Sequence, residues 1–183
     1  MIITKTVLQG CFIIEPTKIV DSRGYFMESY NERTLSAQLQ TQIRFVQDNQ
    51  SFSKYGVLRG LHYQTGDSAQ AKLVRVLSGE VLDVAVDIRP DSVTYGQHVS
   101  VRLSESNGRQ LFIPRGFAHG FVVLSETATF FYKCDNYYNM ASEGGIKYDD
   151  PEIGIDWKLD LNQLIISSKD QMLPSLSDSR KIW

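Results

Sequence analysis

The middle of the chain, from about residue 57 to residue 138, consists of short apolar runs separated by turns, and this pattern most limits the possible folds. The runs are rich in Val, Ile, Phe and Tyr, whereas the turns carry Gly, Pro, Asn, Asp and Ser. Short strands at such spacing favour an antiparallel sandwich or barrel. We therefore predict an all-β fold with a few short peripheral helices.

The clearest predicted strand covers residues 81–88. Its even positions are all apolar and define one face, while Asp83 and Asp87 lie on the other face. Helical spacing is predicted over residues 32–39, with Asn31 as the N-cap, and for a turn or two within residues 160–171. Further strands are predicted at residues 57–64, 72–76, 98–103, 110–113, 120–124 and 129–134.

The composition, with 42% hydrophobic and 22% charged residues over 183 positions, is that of an ordinary globular protein. At about 100–200 residues per domain, we expect a single domain over residues 1–183. No stretch reaches the roughly 18 consecutive apolar residues that a membrane span needs. The net charge of −2 gives no field for nucleic acid, so an anionic ligand needs a local basic pocket.

Residues 1–16 contain a single Lys and no long apolar core before a cleavage site, so we expect no signal peptide and a cytoplasmic protein. Cys11 and Cys134 lie far apart in the chain and form neither a CxxC pair nor a zinc framework. Both cysteines are expected to be reduced and buried.

Three segments contain side chains suited to chemistry. The first, residues 57–64, holds His62 together with Arg59 and Gly60, and a strand glycine often marks a bulge or a close ligand approach. Strict alternation places Arg59 and His62 on opposite faces, so a shared site requires a bulge at Gly60 or a second subunit. The others are residues 112–121, a turn leading to His119, and residues 130–138, which are rich in tyrosine.

Metal and phosphate-loop chemistry find little support in the sequence. Gln64 stands where an HxH metal pair would need its second histidine, and His98 and His119 are the only other histidines. Neither a GxxxxGK[ST] or GxGxxG loop nor a GxSxG elbow is present. The sequence therefore favours acid–base chemistry with no metal and no cofactor.

Five segments together resemble the dTDP-4-dehydrorhamnose 3,5-epimerase family. They are DSRGYFME at 21–28, FVQDN at 45–49, VLRGLHYQ at 57–64, the strand at 79–87, and IPRGFAHGF at 113–121. The resemblance extends over nearly the whole chain and implies a cupin-type β jelly roll that acts as a homodimer without metal. It also implies dTDP-L-rhamnose biosynthesis, which supplies bacterial surface polysaccharide.

The resemblance implies four catalytic residues for the epimerisation of dTDP-4-dehydro-6-deoxy-D-glucose. His62 would be the base, and Asp170 in the motif SSKD at 167–170 would fix its tautomer. Lys72 would stabilise the enolate at the C4 oxygen, and Tyr132 would donate a proton to the opposite face of the sugar.

The resemblance also implies a substrate-binding set. Arg23, Arg59 and Lys169 would hold the charged or polar parts of the ligand, and Tyr138 would stack on thymine. Asp83 is expected to face the pocket beside Lys72. The remaining expected contacts to the sugar and nucleotide are Phe26, Glu28, Gln47, Asp48, Asn49, His119 and Glu143.

The sequence departs from the family pattern at Tyr63, where Phe is common, and at Gln50, where His is common. The motifs leave open an enzyme that inverts C3 only. They also leave open a 3,4-ketoisomerase and a non-catalytic cupin that binds a sugar nucleotide.

Overall fold

The computed structural model describes all residues from 1 to 183. Fourteen strands account for most of its regular structure. They are β1 Ile2–Lys5, β2 Phe12–Glu15, β3 Ile19–Asp21, β4 Gly24–Phe26, β5 Gln47–Lys54, β6 Val57–Gln64, β7 Lys72–Ser78, β8 Glu80–Asp87, β9 His98–Ser104, β10 Gln110–Ile113, β11 Phe117–Val123, β12 Thr127–Cys134, β13 Glu143–Gly145 and β14 Ile165–Ile166.

The strands form two large sheets and one separate hairpin. The first sheet has the order β1-β2-β10-β7-β12-β5, and the second has the order β13-β6-β11-β8-β9, with β14 added in parallel to β6. All other strand pairs in the two sheets are antiparallel. The hairpin β3–β4 pairs with neither large sheet.

A buried apolar cluster joins the two sheets. Val74 and Phe130 from the first sheet pack with Ala85 and Phe121 from the second. Removing apolar surface from water stabilises a fold by roughly 25 cal/mol per Å², so such contacts are the main force that holds the two sheets face to face. One end of this shared interior is polar, and it contains the candidate site described below.

Other segments cover the outer faces of both sheets. The helix α1, Glu32–Leu39, packs Leu35 over the first sheet, and Asn31 caps it by accepting a hydrogen bond from Thr34 N at 3.1 Å. Apolar residues of the C-terminal third, including Trp157, cover the second sheet. Three 3₁₀ turns, at Gly66–Ser68, Met140–Ser142 and Leu161–Gln163, and the short helix α2, Ser168–Gln171, complete the elements.

The predicted central strands are confirmed within a few residues at each end. β8 has its even-numbered apolar residues in the outer cluster and Val81 and Ala85 in the inner one, as alternation predicts. The helix over 32–39 is confirmed, as are the helical turns within 160–171. The five strands before residue 57 were not predicted, because β5 has the polar sequence QDNQSFSK and β1–β4 are only three or four residues long.

No helix of the structure is long and apolar enough to cross a bilayer. Both cysteines are buried and free, as expected. The single-domain organisation over residues 1–183 and the cytoplasmic location stay predictions.

Candidate active site

A cavity of about 690 Å³ opens at the polar end of the interior between the two sheets. Its walls come from β5, β6, β7, β11 and β12 and from the segment leading into α2. Ten of the sixteen predicted site residues line it. They are Asn49, Arg59, His62, Lys72, His119, Tyr132, Tyr138, Glu143, Lys169 and Asp170.

A bulge in β6 brings Arg59 and His62 to the same cavity. His62 lies opposite His119 on β11, whereas Arg59 lies opposite Phe121, so three steps along β6 match two steps along β11. The extra residue reverses the alternation, so both side chains face inward. The bulge therefore lets Arg59 and His62 share a cavity within one chain, and no second subunit is needed to bring them together.

Gly60 makes this bulge possible. Its φ of +128° is a conformation that other residues rarely adopt, and a Cβ there would lie 2.6 Å from Gly120 Cα. Any larger residue would push β6 and β11 apart. Gly60 is therefore required for the local backbone path that aims Arg59 and His62.

His62 and Asp170 form a hydrogen-bonded pair. His62 Nε2 lies 2.7 Å from Asp170 Oδ1. The His62 side chain is 33% exposed and that of Asp170 is 7% exposed. Ser167 holds Asp170 in place by accepting a hydrogen bond from its backbone N–H at 3.1 Å.

The charge of Asp170 determines the tautomer of its partner. Burial acts to raise the pKa of Asp170, but the hydrogen bond from His62 and one from Gly60 N–H outweigh it and hold that pKa below its usual range. An ionised carboxylate only accepts hydrogen bonds, so the neutral imidazole carries its proton on Nε2. The Nδ1 atom of His62 is then the basic nitrogen.

Lys72 and Tyr132 lie side by side in the cavity, with Lys72 Nζ 5.9 Å from the centroid of the Tyr132 ring. Burial lowers the pKa of Lys72, and Cys134 and Asp83 oppose that shift. Burial also raises the pKa of Tyr132, so its phenol keeps its proton and can donate it. The cavity therefore combines a base, a cation and a proton donor.

A second histidine–carboxylate pair lies deeper. His119 lines the cavity, and its Nε2 is 2.8 Å from Oδ1 of Asp83. Asp83 itself is completely buried and is not part of the cavity wall. In this structure Asp83 reaches the cavity wall through its hydrogen bond to His119, and its expected contact with a ligand stays a prediction.

A charged group lies at the cavity mouth. Lys169 Nζ donates to both carboxylate oxygens of Glu143 at 2.8 Å, and the Tyr138 hydroxyl donates to Glu143 at 3.1 Å. Although burial acts to raise the pKa of Glu143, the bonds from Lys169 and Tyr138 lower it. The Tyr138 ring and the Lys169 side chain are both exposed, so a ligand arriving from outside can contact them.

The other predicted site residues lie outside this cavity. Arg23 is at the tip of the β3–β4 hairpin, where it pairs with Asp21, and Phe26 is exposed on β4. Glu28 accepts a hydrogen bond from Asn31. On β5, Gln47 accepts from the backbone N–H of Tyr138 and Asp48 pairs with Lys133.

Several cavity residues were not predicted from the sequence. Gln64 follows His62 by two positions on β6 and thus shares its face, so strand alternation could have predicted that Gln64 lines the cavity. Phe121 and Phe130 stack with their ring centroids 4.1 Å apart and form an apolar wall of the cavity. The sequence alone does not distinguish these two residues from ordinary core residues. The others are Gln50, Ser51, Val57, Leu58, Tyr63, Gln70, Ile165, Ile166 and Ser167.

No group of three or more His, Cys, Asp or Glu side chains is arranged to hold a metal ion.

The model of the dTDP-4-dehydrorhamnose 3,5-epimerase family matches residues 5–178 of the chain. The chain belongs to this family. A dTDP-4-dehydrorhamnose 3,5-epimerase from Salmonella typhimurium is 53% identical over 180 residues, which are 98% of this chain and 97% of the relative.

Solved structures agree with this assignment. A dTDP-4-dehydrorhamnose 3,5-epimerase from Elizabethkingia anophelis is 54% identical with a TM-score of 0.95, covering 100% of this chain and 99% of that one. The Legionella pneumophila enzyme, solved in complex with dTDP-4-keto-L-rhamnose, is 51% identical with a TM-score of 0.92, covering 96% and 93%. The predicted cupin-type jelly roll is thereby confirmed.

Proposed function

We propose that this chain inverts C3 and C5 of dTDP-4-dehydro-6-deoxy-D-glucose and so forms dTDP-4-dehydro-L-rhamnose. The observation that carries the proposal is the convergence of the His62–Asp170 pair, Lys72 and Tyr132 on one cavity. The substrate has a ketone at C4, so the protons on both neighbouring carbons are acidified. One ketone activates two stereocentres.

The first step is removal of a proton by Nδ1 of His62. As the ring becomes an imidazolium, the Asp170 carboxylate, 2.7 Å from Nε2, stabilises the new positive charge. The electron pair from the broken C–H bond moves into an enolate whose oxygen is at C4. The Lys72 ammonium stabilises this oxygen, and removal of one such donor typically costs about 3–4 kcal/mol of transition-state stabilisation.

The second step is protonation of the same carbon from the opposite face by the Tyr132 hydroxyl. The result is an inverted centre, a protonated His62 and a Tyr132 phenolate. Both groups then return to their starting states by proton exchange with solvent, which reaches the 33% exposed His62 side chain. A second cycle at the other carbon follows the same path.

The remaining cavity residues fit a nucleotide diphosphate. Arg59 and Lys169 are the cations suited to the diphosphate, and the near-neutral chain makes such a local pocket necessary. The Tyr138 ring at the mouth is suited to stacking on thymine. Asn49, Glu143 and His119 supply further polar contacts along the cavity.

The chain is further proposed to act as a homodimer. The β3–β4 hairpin exposes Ile19, Val20, Tyr25 and Phe26, an apolar surface suited to burial against a second copy. Arg23 and Glu28, expected at the substrate, lie outside the cavity of their own chain. These positions support a site that one copy completes with the hairpin of the other.

Subunit mixing tests the shared site. Arg23→Ala and His62→Ala proteins, each inactive alone, are unfolded together, refolded and assayed. If sites are shared, half of the dimers are mixed and each has one intact site, so about a quarter of wild-type activity returns. Persistent inactivity of a mixture that forms mixed dimers would contradict the shared site.

Deuterium incorporation tests the reaction itself. The protein is incubated with the keto sugar nucleotide in D₂O, and C3 and C5 are followed by NMR. Labelling and inversion at both carbons support the proposal. Labelling at C3 alone identifies a 3-epimerase, movement of the carbonyl to C3 identifies a ketoisomerase, and no exchange identifies a binding protein; each of these three outcomes overturns it.

A further inference from the structure

Asp83 is a buried acid that the two proton-transfer steps do not use. It is completely buried on β8, and its Oδ1 accepts from His119 Nε2 at 2.8 Å. Its Oδ2 is buried and has no hydrogen-bond partner. Leaving a buried polar atom unpaired costs about 1–3 kcal/mol, so this carboxylate needs an explanation beyond packing.

Lys72 lies on β7, across the interior from β8. Its ammonium belongs to none of the ion pairs of the chain. The titratable groups that face it are Tyr132 and Cys134 from β12, His119 from β11 and Asp83 from β8. Asp83 is the one carboxylate among them.

The other facing groups cannot balance the charge of this ammonium. Burial raises the pKa of Cys134 to about 11, and burial also raises the pKa of Tyr132. Both groups are therefore neutral at neutral pH. Burial lowers the pKa of His119 as well, although Asp83 opposes that shift.

We propose that Asp83 is a positioning residue that acts through its two neighbours: it fixes the His119 ring with one oxygen and is the counter-ion that keeps Lys72 charged. The proposal rests on the proposed function, because it explains how Lys72, which lines the cavity, stays charged and can stabilise an enolate. Asp83 does not line the cavity, and His119, which does, is its hydrogen-bond partner, so Asp83 acts through its neighbours rather than on the substrate.

The lack of direct contact between Asp83 and Lys72 has a chemical advantage. An ammonium has three N–H donors, and a carboxylate in contact would occupy at least one of them. A counter-ion at longer range still favours the charged form, because charges interact strongly in a low-dielectric interior. The donors of Lys72 then stay free for the oxygen on C4.

The first test is the pH profile of kcat in Asp83→Asn protein. The asparagine keeps the shape and can still accept from His119, but its charge is lost. Lys72 then loses its proton at lower pH, so the alkaline limb of the profile moves to lower pH. Activity at neutral pH falls by less than the about 10²–10³-fold loss expected when an oxyanion donor is removed.

Glu80→Gln is the matched control, because Glu80 is on the same strand but pairs with Arg102 outside the cavity. It makes the same change in charge and should leave the profile where it is. An Asp83→Asn profile with an unmoved alkaline limb overturns the proposal, as does a limb that moves equally in Glu80→Gln.

The second test needs neither turnover nor a folded Asp83 variant. The chain has three histidines, His62, His98 and His119, so their titrations can be followed by NMR in ligand-free protein. Lys72→Met removes the ammonium at nearly constant volume and should move the His119 titration to higher pH. His98 is the internal reference and should not move.

An unchanged His119 titration in Lys72→Met protein means that Lys72 carries no charge in the cavity, and the proposal is then wrong. Failure of the proposed function has a different signature: wild-type protein gives no deuterium exchange at C3 or C5. The two outcomes are independent, because the titrations are recorded without substrate.

Discussion

The Asp170→Asn substitution tests the role of the histidine–carboxylate pair in depth. In the wild-type protein Asp170 Oδ1 is 2.7 Å from His62 Nε2, and its side chain is 7% exposed. When His62 takes a proton from the sugar, a positive charge forms beside this negative one. Two unit charges 4 Å apart interact by about 4 kcal/mol at an effective dielectric constant of 20.

This energy is lost when the carboxylate becomes an amide. Because about 1.4 kcal/mol corresponds to a tenfold change in rate, we expect turnover to fall by about 10³-fold. The amide can also present its NH₂ group to Nε2, which would move the ring proton to Nδ1 and remove the base. The nucleotide should bind as before, since Asp170 contacts His62 rather than the basic residues at the mouth.

The assay is the rate of deuterium incorporation at C3 and C5, with dTDP affinity measured by calorimetry on the same protein. Asp178→Asn is the control, because Asp178 is an exposed acid nearby in sequence that bonds only to Ser175. It should behave as wild type. A loss below tenfold in Asp170→Asn, or an equal loss of dTDP affinity, would refute the reasoning.

Four further predictions address other parts of the structure. Tyr132→Phe should lower turnover by about 10²–10⁴-fold with dTDP affinity retained, as measured by kinetics and calorimetry. Activity should survive dialysis against EDTA, and a loss that Zn²⁺ or Fe²⁺ restores would show that a metal is needed. Asp87 is fully buried, and the hydrogen bonds that it accepts from Arg89, Ser92 and Thr94 outweigh burial and hold its pKa below the usual value. The contribution of the Asp87 carboxylate to stability is therefore complete above about pH 4, and it is lost as the pH falls through the lowered pKa. Asp87→Asn should remove that dependence and cost about 3 kcal/mol in chemical denaturation. Gly60→Ala should abolish turnover, because the new Cβ would lie 2.6 Å from Gly120 Cα.

Most of the central fold follows from local sequence pattern. The alternation in residues 81–88 predicted both faces of β8, and Asn31 with the leucines of α1 predicted the helix start. The five strands before residue 57 could not be predicted, because β5 has no apolar alternation and β1–β4 are only three or four residues long. Their pairing depends on partners far away in the chain.

In the candidate site, too, some features could be predicted from the sequence and others depend on how distant strands pack. Resemblance to the family named His62, Lys72, Tyr132 and Asp170, which all line one cavity. Period-two alternation alone would have placed Arg59 and His62 on opposite faces of β6. The bulge that brings them together depends on how two strands approach each other and not on either sequence by itself. The hydrogen bond between Asp83 and His119 also depends on how β8 and β11 pack, so the sequence could place Asp83 near the pocket but could not name its partner.

A crystal structure of this protein with a bound dTDP-4-keto sugar is the most direct measurement of the central claim. We predict that Nδ1 of His62 and the hydroxyl of Tyr132 lie on opposite faces of the hexose ring, with the Lys72 ammonium at the oxygen on C4. If both side chains lie on one face, or if the ring is distant from them, inversion through an enolate by these residues is contradicted.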